Sequence, residues 1–514
     1  MESPIQNSAM FFFLLSLLCF MVFLFQPSRK LSSYPPGPKG LPIIGNMSMM
    51  AQLTHRGLAQ LAKQYGGLIH LQMGVLHMVV VSTPDLAREV LQAQDSVFSN
   101  RSSSTAIRYL SYDGADMAFA NYGPFWRQMR KICVIKLFSR KRLESWVSVR
   151  DEINMVVQTI VAKTGSPINL SKLALSLTSH IIYKAAFGSN SHEGEEGQFE
   201  KILQEFSRLF GEFNIADFIP WLGWIHAKEF KKRLVNARRE LDVFIDKVID
   251  EHLAKKNNMN RKDENEAAAT DMVDQLISFL DEGAHENKFT DSLSTVKLTR
   301  DNIKALIMDV MFGGTETVAT AIEWAMTELM KNPKELKKVQ EELSNVVGLY
   351  RRVQDFDLEN LTYLKCTLKE TLRLHPPIPV LLHETAKDAV LAGYSIPVRW
   401  RVVINAWAIG RDEMVWDEPN AFKPSRFLKQ GAKDFKGNDF EFIPFGSGRR
   451  SCPGMQLGFY ALEMSVAELV HCFTWELHEG MKSGELDMSD SFGLTAPKAV
   501  PLVAVPSYRL KYAL

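Results

Sequence analysis

The residues best suited to chemistry lie near the C-terminus. There Phe445-Gly446-Ser447-Gly448-Arg449-Arg450-Ser451-Cys452-Pro453-Gly454 leads into an amphipathic stretch through Val470. Proline is favoured in the first turn of a helix, so the order predicts Cys452 at or just before a helix N-terminus. In that position the helix dipole and free backbone N–H groups stabilise a thiolate, which is a nucleophile and a metal ligand. The flanking glycines allow backbone to approach a bulky planar group, and Arg450 offers charge for an acidic substituent on it. Cys19, Cys133, Cys366 and Cys472 stand alone and read as small buried hydrophobes. Gly446-x-Gly448-x-x-Ser451 narrowly misses a dinucleotide fingerprint, because the third glycine is absent and no βαβ unit follows.

A second unusual group, Gly313-Gly314-Thr315-Glu316-Thr317, lies in the middle of a helical pattern running from Thr299 to Lys331. Each glycine costs roughly 0.8–1 kcal/mol against alanine in a helix interior. The pair therefore marks either function or a close helix–helix contact. Glu370 and Arg373 put opposite charges three apart on one helical face, ahead of Pro376-Pro377. Trp126 and Arg130, four apart, also share a face.

These groups sit in a chain of 514 residues, 46% hydrophobic and 23% charged, an ordinary globular balance that excludes intrinsic disorder. Length alone points to two or three domains. Sixty Lys and Arg against 59 Asp and Glu leave a formal charge of +1, so no field gathers nucleic acid. Five scattered cysteines without Cys-x-x-Cys or His-Glu-x-x-His argue against a disulfide framework and a zinc site. Leu68 to Met73 and Leu76 to Ser82, separated by Gly74-Val75, predict a hairpin. Helical periodicity then runs through Glu144 to Val161, Phe199 to Gly211, Lys228 to Ala254, Thr299 to Lys331 and Pro333 to Val347. Further strands are expected around Ala389 to Ala408 and after Ala499. Lys255 to Thr270 is polar and reads as a loop.

The N-terminus differs from the rest. Ala9 to Phe25 is apolar apart from Ser16, at the short limit for a spanning helix. An n-region with Glu2 and no Lys or Arg, and no clear small-x-small cleavage site after the run, favour an uncleaved anchor over a signal peptide. Arg29 and Lys30 then place everything downstream in the cytosol. Tyr34-Pro35-Pro36-Gly37-Pro38 is a stiff hinge, so residues 1–33 form the anchor and 34–514 the body.

Phe445, Gly448, Arg450, Cys452 and Gly454 reproduce the Phe-x-x-Gly-x-Arg-x-Cys-x-Gly signature, by which the chain resembles the cytochrome P-450 superfamily. The resemblance implies a mainly α fold with small β-sheets, as one catalytic domain behind an N-terminal transmembrane helix, in place of the several domains that length suggests. It implies haem b, with Cys452 as axial thiolate ligand to the iron and Phe445 in the same haem-binding loop. Glu316 and Thr317 match the family's Ala/Gly-Gly-x-Asp/Glu-Thr element, where the helix opens beside bound oxygen. Thr317 then holds a proton network and Glu316 relays protons from solvent. Trp126, Arg130 and Arg450, with His383 where many relatives carry arginine, are implied contacts of the haem propionates. Glu370, Arg373 and Arg426 are implied structural partners, with Ser425 replacing the commoner glutamate.

The same resemblance implies a monooxygenase that uses O₂ and takes electrons from NADPH through NADPH–cytochrome P-450 reductase. It implies a single-pass protein of the endoplasmic reticulum membrane with its catalytic domain in the cytosol. Lys131, Lys136, Arg140 and Lys141 could dock that reductase, though such a run is more often a solvated face. Phe98-Ser99-Asn100-Arg101, Asp116 to Ala120, Ile307 to Gly314 and Phe492 to Pro497 are similar to the plant ferulate 5-hydroxylase group. That group hydroxylates small phenolic guaiacyl phenylpropanoids (coniferaldehyde, coniferyl alcohol, ferulate) toward syringyl lignin. The alternatives are another plant aromatic hydroxylase acting on coumaroyl esters or flavonoids, a haem-thiolate isomerase or dehydratase, and a non-catalytic haem- or lipid-binding protein.

Overall fold

The computed structural model describes residues 16, 34–138, 147–188, 195–225, 227–259, 271–281 and 298–511. Apart from Ser16, the expected membrane helix 9–25 lies outside the described residues, as do Arg140, Lys141 and most of the polar stretch 255–270.

The alternation of β-branched residues around Gly74-Val75 folds as expected. Leu68–Met73 (β1) and Leu76–Val81 (β2) pair antiparallel from Leu68↔Val81 to Met73↔Leu76. Gly74 turns with φ of 58°, and a Cβ there would fall 2.1 Å from the Phe218 carbonyl oxygen, so no other residue fits. The remaining strands are Ile168–Asn169 (β3), Val380–Glu384 (β4), Ala389–Leu391 (β5), Tyr394–Ile396 (β6), Arg401–Asn405 (β7), Phe473–Leu477 (β8) and Val503–Tyr508 (β9). The first sheet has the order β1-β2-β7-β4, with β2 parallel to β7 and the other pairs antiparallel. β3-β9-β8 form a second sheet, and β5-β6 a hairpin.

Helices dominate the rest: His55–Tyr65 (α1), Pro124–Ile132 (α2), Val147–Val161 (α3), Leu170–Phe187 (α4), Glu195–Gly211 (α5), Ala227–Met259 (α6), Arg300–Lys331 (α7), Pro333–Val346 (α8), Thr362–Leu374 (α9) and Met455–Cys472 (α10). Thr299 caps α7 through a reciprocal capping box with Asn302, and Asn332-Pro333 ends it. Ile303, Leu306, Ile307, Val310 and Ile322 of α7 are buried in the largest apolar cluster, which also takes in α4, α5 and α10. α7 is also the one described helix long and apolar enough to cross a membrane, but 67% of that window is buried in the protein, as befits a core helix.

The glycine pair in α7 divides its two explanations between its members. A Cβ on Gly314 would lie 2.3 Å from Ile182 Cδ1 of α4, so this glycine exists for helix packing. A Cβ on Gly313 would meet nothing within 4 Å, and packing does not account for it.

Candidate active site

Cys452 lies on a loop just before a helix, with Pro453 also outside that helix rather than in its first turn. α10 begins at Met455 with Gly454 as N-cap. The loop is closed by the Cys452 N–H donating to the Phe445 carbonyl at 2.9 Å, and the Phe445 ring packs 5.1 Å from Phe435. Gly446 and Gly448 both have φ near 70° (67° and 68°), and a Cβ on Gly448 would fall 2.1 Å from Leu91 O. Gly448 thus serves the loop's contact with its own chain.

The Cys452 side chain keeps accessible surface yet is desolvated by surrounding protein, as on the wall of an internal cleft. Burial pushes the thiol up from its ordinary value, and an N–H from Gly454 and the charge of Arg130 offset only part of that. The thiolate stabilisation expected from a helix N-terminus is thus opposed here by desolvation. A thiolate at this position would be favoured by a bound cation, such as a coordinated metal. Cys133, Cys366 and Cys472 are buried, as expected of bystanders.

Around this loop the chain assembles basic groups from four segments. Arg130 of α2 donates to Ser451 Oγ at 3.3 Å. Arg450 donates to Ser99 O at 2.8 Å and Met117 O at 3.2 Å, and also to Ala120 O, with its guanidinium 4.3 Å above the Trp126 ring. Trp126 Nε1 donates to Met117 O at 3.0 Å, so the indole N–H is committed to the loop. Arg101, to which sequence reasoning gave no role, donates to Leu382 O and, at 3.3 Å, to Ala118 O.

Burial and mutual repulsion push Arg450 down to about 9 and Arg101 down to about 10; desolvation also lowers Arg130. His383 of β4 is buried, with Nδ1 2.8 Å from Phe98 O. Desolvation first, then Arg101 and Arg450, hold it well below its usual value and hence neutral. Its Nδ1–H donates to the carbonyl and Nε2 is left as an acceptor.

Opposite this cluster, α10 packs on α7, where a Cβ on Gly458 would lie 3.6 Å from Val318. α7 runs unbroken through Gly313 to Thr317, so the expected opening of the helix is not present; the Thr317 hydroxyl donates to Gly313 O at 2.7 Å. Glu316 turns toward other partners, accepting from Ser207 Oγ of α5 at 3.0 Å and Thr495 Oγ1 at 3.2 Å. Phe206, Phe210, Phe312 and Phe119 pack at centroid distances of 5.2–6.0 Å, mostly edge-to-face or tilted, forming an aromatic wall from α5, α7 and the loop before α2.

Glu370, Arg373 and Arg426 meet in a separate buried cluster. Arg373 donates to both Glu370 oxygens at 2.7 and 2.8 Å and to the carbonyls of Gly410, Pro419 and Ala421. Arg426 Nε and the Lys423 N–H donate to Glu370 Oε1 at 2.9 and 2.8 Å. Of the basic run considered for docking, Lys136 lies over the Phe279 ring.

Sequence reasoning also assigned no role to Asp116, which is buried, and Asp309, which is half-buried, beside the basic groups. The available signal was an aspartate at position 309 inside the apolar run of α7, which burial penalises without a partner.

The cluster tests whether a haem fits. Arg101, Arg130 and Arg450 are partly or fully desolvated and repel one another; the acids nearby are Asp116 and Asp309, and burial holds Asp309 well above its usual value. Surplus buried positive charge beside an accessible thiol fits a group carrying both carboxylates and a metal. A cleft of about 480 Å³ borders the cluster at Arg101, Phe119 and Ala120.

Comparison with known proteins gives a consistent picture. The family described as Cytochrome P-450 matches residues 35–503. Cytochrome P-450 84A1 and Cytochrome P-450 84A4 of Arabidopsis thaliana are 62% and 56% identical, over 97% and 96% of this chain and 96% of each relative. Strychnine-11-hydroxylase of Strychnos nux-vomica is 40% identical over 98% of both chains. A zebra fish cytochrome P-450 solved with progesterone has a TM-score of 0.73 at 26% identity, covering 88% of this chain and 99% of the other.

Proposed function

Because this chain belongs to the cytochrome P-450 family of monooxygenases, we propose that it hydroxylates the 5-position of guaiacyl phenylpropanoids (coniferaldehyde, coniferyl alcohol, ferulate) on the route to syringyl lignin. The observation that carries the chemistry is the accessible Cys452 thiol beside surplus guanidinium charge. Cys452 would hold the haem iron, while Arg101, Arg130 and Arg450 would take its carboxylates. When bound, the haem supplies O₂ activation and insertion of one oxygen atom into a C–H bond.

The protein's own residues do the rest. Thr317 Oγ1 bonded to Gly313 O presents a hydroxyl able to hold a proton on α7. Glu316, which accepts directly from the Ser207 and Thr495 hydroxyls, would receive protons through them and pass them along α7. The phenylalanine wall favours a flat aromatic substrate and excludes water from it. The 5-hydroxylation reading draws its support from the motif resemblance at 98–101, 116–120, 307–314 and 492–497 and from this wall.

Electrons come from NADPH through NADPH–cytochrome P-450 reductase, and residues 1–33 anchor the 34–514 body to the cytosolic face of the endoplasmic reticulum. Microsomes containing reductase, offered coniferaldehyde, ferulate, coumaroyl shikimate and naringenin, test the reading: NADPH-dependent 5-hydroxylation of coniferaldehyde is expected. Turnover of another substrate with no 5-hydroxyconiferaldehyde would sink it. Cys452→Ala is expected to abolish the red-shifted band of the reduced, carbon monoxide-treated protein; survival of that band would overturn the ligand assignment.

A further inference from the structure

Two desolvated acids, Asp116 and Asp309, remain without a role, and they meet across the loop that walls the pocket. Asp309, on α7 about two turns before Thr317, accepts the N–H groups of Met117 and Ala118 at 2.8 and 3.1 Å through a single oxygen, Oδ2. Asp116 accepts those of Phe119 and Ala120 at 3.1 and 3.0 Å through Oδ1. Four consecutive amides are thereby spent on two carboxyl groups. The other oxygen, Asp116 Oδ2, is buried and unpartnered by any ordinary donor, and the group facing it is the Asp309 carboxyl.

The loop's carbonyls go the opposite way. Met117 O accepts from Trp126 and Arg450, Ala118 O from Arg101, and Ala120 O from Arg450. Asn302 Nδ2 of α7 fastens the adjacent Ala115 O at 3.0 Å. The loop is thus a bridge with acids on its amide side and cations on its carbonyl side, and Phe119 within it packs 5.6 Å from Phe210 of the aromatic wall.

We propose that Asp309 and Asp116 are a positioning pair, one carboxylic acid donating to one carboxylate, which fastens loop 116–120 to α7 and so holds the pocket wall in register with the guanidinium cluster. The orphan oxygen on Asp116 demands a donor, and among the described residues the Asp309 carboxyl faces it and can supply the proton. Burial, then the Asp116 charge, drive Asp309 well above its usual value, and desolvation brings Asp116 up to about 6. The charged and titratable groups facing the pair are Arg101 and Arg450 toward Asp116, and Arg450 and Cys133 toward Asp309. An acid whose folded value is raised stabilises the fold at low pH. Here that contribution is lost as pH rises from the unfolded carboxyl range through the pair's upper ionisation, when two like charges share the site.

The consequence for catalysis rests on the reading above, but the pair itself does not. Hydrogen exchange at amides 117–120 in the full-length, haem-loaded protein tests it, with the carbon monoxide band checking that the cysteine site is intact. Asp309→Asn mimics the protonated acid, its oxygen accepting two amides and its NH₂ donating to Asp116; wild-type-like protection is expected, with the pH dependence removed. Asp116→Asn is expected to retain protection by the reciprocal arrangement. Asp309→Ala and the double variant Asp116→Asn/Asp309→Asn, in which two NH₂ groups face each other, should exchange at least roughly tenfold faster and bind coniferaldehyde more weakly by its spectral shift. Asp309→Asn exchanging as fast as Asp309→Ala, a double variant as protected as either single one, or wild type and Asp309→Asn sharing one pH profile would each overturn the proposal. Exchange following the expected pattern without 5-hydroxylation would leave the pair standing and remove the substrate assignment.

Discussion

Two buried guanidinium clusters in this molecule differ in how their charge is met. Around Glu370, one carboxylate takes both Arg373 and Arg426, and nearby carbonyls take the remaining N–H groups. Around Cys452, Arg101, Arg130 and Arg450 have carbonyls, a serine hydroxyl and the neighbouring Asp116 and Asp309, whose raised values weaken them as counter-charges, and the guanidinium charge is penalised. Desolvated charges are retained cheaply only when paired. The first cluster is complete within the chain and serves architecture. The second lacks a full counter-charge of its own, and that imbalance is what the proposed cofactor carboxylates would meet.

The contrast can be broken most forcefully at Glu370. Glu370→Ala strips the counter-charge from two buried guanidiniums and is expected to cost about 3–5 kcal/mol in urea or thermal unfolding, with or without haem. A loss below about 1 kcal/mol would mean that the cluster is not self-contained. Arg450→Met is expected to act with opposite signs in the two states. The cofactor-free protein should be as stable or more so, because a penalised charge is gone, while haem dissociates roughly ten- to hundredfold faster, a shift of about 1.4–2.8 kcal/mol. Equal destabilisation of both states would erase the distinction between the clusters.

The smallest effect concerns His383. Its folded value lies well below 6.5, so the unfolded chain binds the extra proton first. Its stabilising contribution is whole above pH 6.5 and is lost as pH falls below it, by at most about 1.4 kcal/mol per pH unit. His383→Asn, which keeps a donor for Phe98 O, should flatten that part of the stability profile. An unchanged acid limb would show that His383 is charged in the fold and belongs among the cations.

Much of the site was legible in linear order. The cysteine loop, the Gly313–Thr317 group and the Glu370–Arg373 spacing are local patterns, and the hairpin at Gly74-Val75 and α7 follow periodicities written into neighbouring residues. Arg101, Asp116, Ser207 and Thr495 were not legible, because each acquires its meaning from partners far away in the chain, such as Leu382, Asp309 or Glu316. The parallel pairing of β2 with β7 across more than three hundred residues likewise has no local signal.

By itself, the sequence determined the ligand type, since a cysteine in that ten-residue setting and a glycine-interrupted apolar helix depend on residue chemistry and short-range spacing. Only the tertiary structure decided the charge state of the site. Burial raises the Cys452 thiol, Glu316 looks toward Ser207 and Thr495, and the two glycines of α7 have different reasons to exist. Desolvation and charge coupling depend on what surrounds a group in space, and distances in space between remote segments are fixed only when the chain has packed.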